Sequence, residues 1–152
     1  MLTKPERILR NEIEWWEENL NIRSTKLDMD IAPYLNVNIH PSQNPWGITF
    51  TNLLDTEKSQ LCREYYTPTT ELRKYCVDCP ISLFTGEHQC VKTPYIEFKK
   101  QYGKLISVMN RVKNNNPTKK QLKNIEVAEL KTFELCFKYF EFLKEVQIDM
   151  NK

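Results

Sequence analysis

The chain has 152 residues, 40% apolar and 28% charged, with 22 Lys and Arg against 20 Asp and Glu. That length suits a single domain burying roughly two-thirds of its unfolded surface, and a net charge of +2 does not by itself argue for a nucleic-acid partner. Three glycines nearly exclude a Gly-rich phosphate loop, and no apolar run reaches the roughly 18 residues of a membrane span.

Residues 4–20 read as a helix. Leu9, Ile13, Trp16 and Leu20 recur at helical spacing and give one apolar face. Pro5 suits the first turn, and Glu6 follows where the helix dipole favours an anion. Ile8 and Trp15, with Ile22 if the helix runs on, form a second stripe on the far side. Such a helix is either sandwiched within the fold or offers one stripe to a partner. Ile8, Trp15 and Ile22 are therefore candidate partner-binding residues. The opening "MLTKPERILRNEIEWW" lacks the uncharged stretch of a secretory signal, so a cytoplasmic protein is expected.

Residues 23–58 are punctuated like loops, with "HPSQNPWG" the clearest case. In "WGITFTNLL", Ile48 and Phe50 alternate with Thr49 and Thr51, a pattern that allows one short strand or hairpin. "DTEKSQLCREYY" predicts a short helix capped by Asp55, with Cys62 near its end.

The cysteines carry the strongest chemical signal. Their spacing is Cys62-x13-Cys76-x2-Cys79-x10-Cys90, with Pro80 directly after the close pair. Two thiolates two residues apart converge from one side of an ion, and a second pair closes a tetrahedron. Clustered thiols in a reducing compartment bind metal more often than they form disulfides. A structural Zn²⁺ held by Cys62, Cys76, Cys79 and Cys90 is the expected cofactor. Four cysteines also suffice for an iron–sulfur cluster. A thioredoxin-like pair lacks the βαβ surroundings it needs. His88 reads as a residue outside the ligand set, and Cys136 in "FELCFKYF" as a small buried hydrophobe.

The rest of the chain is helical. Thr93 and Pro94 open one helix, over 94–113, whose face carries Tyr95, Phe98, Tyr102, Leu105, Ile106, Met109 and Val112. "NNNP" stops it, and Thr118 with Gln121 forms a capping box for the next, over 119–148. The apolar positions there are Leu122, Ile125, Leu130, Phe133, Phe137, Phe140 and Leu143. The short connection predicts an antiparallel hairpin, 94–149, within one mainly α domain, 1–152, stapled by a zinc-binding segment at 59–95.

No nucleophile elbow, His-Glu-x-x-His motif or P-loop is present, and a four-thiolate zinc has no open position for water. An enzyme is not expected. Residues 99–124 hold eight Lys and Arg residues without an acid. Lys100, Lys104 and Arg111 lie within about 40° on the helical wheel, opposite the apolar face. They are candidates for contact with nucleic acid or an acidic partner.

"YCVDCPISLFTGEHQCVKTPY" resembles a pattern in small, mostly uncharacterised phage and prophage proteins. The matching positions are Cys76, Cys79, Pro80, Gly86, Cys90, Thr93, Pro94 and Tyr95. Those proteins carry a Cys-Pro-Leu-Cys element upstream. Here "SQLC" keeps Leu61 and Cys62 but has Ser59 in place of the first cysteine. The resemblance implies a phage-type origin and metal binding. By analogy of gene context, it makes a host protein the natural partner, such as a CRISPR effector that this chain would inhibit in the host cytoplasm. A zinc-stabilised protein acting by protein–protein interaction is the functional expectation, with nucleic-acid binding through the 99–124 stretch as the alternative.

Overall fold

The computed structural model describes residues 1–24, 45–66, 76–87, 90–112 and 117–152, and the backbone alone of 21–24 and 45–49. The described residues are mainly helical, in the order α1 (Lys4–Ser24), α2 (Pro45–Leu54), α3 (Gln60–Tyr65), α4 (Pro80–Thr85), α5 (Pro94–Val112) and α6 (Lys119–Met150). None of these helices is long and apolar enough to cross a membrane.

The hairpin of α5 and α6 is the frame. Thr118 caps α6: its hydroxyl accepts from the Gln121 N–H, and the Gln121 side chain accepts from the Thr118 N–H. Thr93 opens α5 by accepting from the Tyr95 N–H. Tyr95 lies beside Tyr139, with ring centroids 5.3 Å apart, whereas Tyr102 lies in the field of Glu129. The pairing therefore runs in opposite directions along the two helices. Of the expected α5 face, Phe98, Tyr102, Leu105, Met109 and Val112 are buried, with Tyr95 and Ile106 packed at the edge. On α6, Ile125, Phe133, Phe140 and Leu143 are buried, while Leu122, Leu130 and Phe137 face out. Cys136 is fully buried, as its apolar surroundings predict.

Helix α1 lies across this frame. Leu9, Ile13, Trp16 and Leu20 are buried, and the Trp16 ring packs on Phe98 and Tyr139 at centroid distances of 6.1 and 4.9 Å. The second stripe of α1 also turns largely inward. Ile8 is 9% exposed, and Trp15 is half-buried with its ring edge-on to Trp16. The Ile22 side chain lies outside the described residues, as do His40 and His88.

Two expectations are corrected. The segment expected to allow a strand is helix α2, and no strand occurs among the described residues. The alternation at 48–51 spans too few residues to outweigh Phe50 and Leu53. These two sit three apart and are both buried, and Pro45 is pre-set for a first turn. The third helix begins five residues after Asp55, at Gln60, with Ser59 as its cap. Asp55 instead holds a turn, its side chain accepting from the Glu57 N–H.

Candidate metal centre

The four cysteines of the sequence pattern come from three places in the fold and line one cavity. Cys62 is on α3, Cys76 and Cys79 flank the turn into α4, and Cys90 stands in the turn before α5. All four border a space of about 30 Å³, also lined by Glu12, Trp16, Tyr95 and Tyr139 among others. A space of that size admits an ion or a water and little else.

Local sequence explains each placement. Ser59 accepts from the Cys62 N–H, fixing the first turn of α3. Cys76 donates its N–H to the Tyr65 carbonyl, which ties the cysteine turn to the end of α3. Cys79 closes back on the Cys76 carbonyl and is the N-cap of α4, with Pro80 at N1. Gly86 ends α4 at φ 78, a conformation that glycine adopts without penalty. The Cys90 carbonyl accepts from both the N–H and the hydroxyl of Thr93. Its sulfur stands 3.9 Å from the Tyr139 hydroxyl.

Cys76 and Cys90 both have left-handed backbone, at φ 62 and φ 59. A residue with a Cβ is uncommon there, and such conformations persist where the surroundings fix them. The two turns thus hold two of the cavity-lining cysteines in unusual conformations.

The electrostatics agree with this convergence. Burial pushes the Cys62 thiol up to about 11 and the Cys79 and Cys90 thiols up to about 12. Smaller contributions come from the neighbouring cysteines: Cys76 acts on all three, and Cys62 acts on Cys79 and Cys90. The backbone amides of Ile81 and Ser82 pull Cys79 the other way. Burial thus favours the neutral thiol at Cys62, Cys79 and Cys90. Among the described residues, no group of three or more His, Cys, Asp or Glu side chains forms a metal-holding set.

The wall of the cavity contains a residue that the sequence reading did not single out. Glu12 of α1 is 2% exposed. It accepts from the Ser59 hydroxyl at 2.6 Å, the Gln60 N–H at 2.8 Å, the Leu61 N–H at 3.3 Å and Trp16 Nε1 at 3.3 Å. It therefore anchors the start of the helix that carries Cys62. The available signal was an acid on the apolar face of α1, between Leu9 and Trp16.

The basic candidates lie elsewhere. Lys100, Lys104 and Arg111 are exposed on α5 and line an open hollow of about 460 Å³, together with Gly103, Ser107 and Val108. The salt bridges among the described residues involve other lysines and arginines, namely Lys4, Arg10, Lys92 and Lys144.

Compared with protein-family models, with curated proteins and with solved structures, the chain matches none of them.

Proposed function

We propose that this chain is a zinc-stapled helical module that works by binding another protein. Cys62, Cys76, Cys79 and Cys90 are the ligands in this reading, and the zinc is structural. The observation that carries it is the convergence of these four thiols on one ion-sized cavity. Four soft thiol donors suit tetrahedral zinc, and the Glu12 carboxylate in the same lining is already engaged by Ser59, Gln60, Leu61 and Trp16. The sulfurs would have to draw together to close on the ion, and metal binding energy at such a site is folding energy.

The interaction role rests on what the cysteine segment exposes. Val77, Leu83, Phe84 and Val91 are 38, 70, 40 and 57% exposed. Apolar side chains concentrated on one short segment suit an interface better than a solvated surface. The likeness to phage proteins makes a host protein the partner in this reading, with an effector of a defence system such as CRISPR as its target. A closed four-thiolate ion leaves no position for a reacting water, so the module binds rather than catalyses.

Metal analysis of the purified protein tests the first half. About one zinc per chain is expected; a brown protein absorbing near 400 nm would indicate an iron–sulfur cluster instead. For the second half, Leu83→Asp with Phe84→Asp should keep the zinc and the melting temperature but lose the host partner. Unchanged capture of that partner would move the interface off the cysteine segment.

A further inference from the structure

Lys100, Lys104 and Arg111 share one face of α5 and line one hollow. At 1.5 Å per residue the row extends about 16 Å, far longer than a single phosphate. None of the three is paired with a carboxylate among the described residues, and Glu97, one turn before Lys100, does not line the hollow. The antiparallel register continues the charge. It brings the end of α5 beside the start of α6, where Lys119, Lys120 and Lys123 are exposed.

The floor of the hollow adds an independent observation. Gly103 sits in the middle of a 19-residue helix, where glycine is a poor choice. A Cβ at that position would meet nothing within 4 Å, so tight packing among the described residues does not require the glycine. Its effect is to keep the hollow open between Lys100, Lys104 and Ser107, whose hydroxyl is a donor suited to phosphate.

We propose that this face of α5 is a binding groove for the phosphate backbone of a nucleic-acid duplex. The cations face phosphates along the row, and the missing side chain at Gly103 lets one phosphate approach the helix. No aromatic side chain is among the described lining residues, whereas single-strand binders use aromatic platforms for the bases. Recognition is therefore of the backbone and independent of sequence. The groove shares no lining residue with the cysteine cavity, so it stands whether or not zinc is bound there.

Fluorescence anisotropy with the full chain and a mixed-sequence DNA duplex tests this. With three phosphates contacted, affinity should fall about 40-fold between 50 and 200 mM salt. Lys100→Glu, Lys104→Glu and Arg111→Glu combined should abolish binding with an unchanged circular dichroism spectrum, since all three side chains are exposed. Gly103→Gln keeps the net charge and favours the helix, so it should raise the melting temperature and yet weaken binding. Absence of binding at 50 mM salt, or triple-variant binding equal to the parent, would overturn the proposal. So would equal affinity for poly-glutamate, a preference for single strands, or a Gly103→Gln variant that binds unchanged.

Discussion

The Ser59 hydroxyl donates a 2.6 Å hydrogen bond to the Glu12 carboxylate, joining the cap of α3 to the middle of α1 across 47 positions of sequence. Ser59 in turn caps the Cys62 amide, so the placement of one candidate ligand depends on a carboxylate in another helix. Burial raises the Glu12 pKa, and the four donors around it pull it back. Glu12→Ala would leave those donors unsatisfied in a buried place, at a cost of about 3–5 kcal/mol. Glu12→Gln retains one acceptor oxygen and should cost about 2 kcal/mol. Urea denaturation measures both. A change below about 0.5 kcal/mol for Glu12→Ala would mean that the network contributes nothing net.

Two cysteine substitutions should behave differently. Cys79→Ser removes a cavity-lining thiol, and both zinc content and melting temperature should fall. Cys136 is equally buried, but its raised pKa has burial as its sole cause, with no cysteine neighbour acting on it. Cys136→Ala should therefore cost about 1 kcal/mol through a small cavity and leave zinc content unchanged. Metal analysis alongside thermal melts distinguishes the two. Equal zinc loss in both variants would point to general unfolding and not to a ligand set.

The parts of the fold that were legible in the sequence are those with redundant local signals. Helix α6 has a capping box, a stop signal before it and a sustained apolar stripe, and each indicates the same boundary. Helix α4 has six residues and too few positions for a period. Its only signals are Pro80 at the start and Gly86 at the end, which read as turn residues. Helix α2 is not legible in the sequence because four alternating residues mimic a strand, and packing of Phe50 and Leu53 decides the matter. At the candidate site, spacing alone suggested which four thiols to group. Glu12, Ser59 and Tyr139 could not be read the same way. They join the cavity through tertiary packing, in the Glu12–Ser59 and Cys90–Tyr139 contacts, whose partners are 47 and 49 residues apart.

Trp15 bears on where a partner binds. Its ring stands 6.3 Å from Trp16, edge-on, and it is packed against the core. Ile8 of the same stripe is buried. Trp15→Ala should therefore destabilise the chain, by about 2 kcal/mol for a half-buried aromatic. A variant that keeps its denaturation midpoint but loses the host partner would return the interface to this stripe of α1.

Glu129 gives the protein a pH dependence with a definite sign. It is 1% exposed on α6, and neither carboxylate oxygen has a hydrogen-bond partner among the described residues. Burial raises its pKa to about 8, so in the folded chain the group is neutral at pH 7. The unfolded chain ionises it near the ordinary carboxylate value. Stability from this group is thus complete below about pH 4.5 and is lost progressively as pH rises towards 8, because only the unfolded state releases the proton over that window. The loss is on the order of 3–5 kcal/mol across the window. Glu129→Met replaces the carboxyl with an apolar side chain of similar length and should abolish that slope. The variant should be at least as stable as the parent near pH 4.5, and the gap should widen by several kcal/mol towards pH 8. Denaturation midpoints of both proteins across this range provide the check. Parallel pH profiles would show that Glu129 ionises in the folded chain as readily as in water and would overturn this assignment.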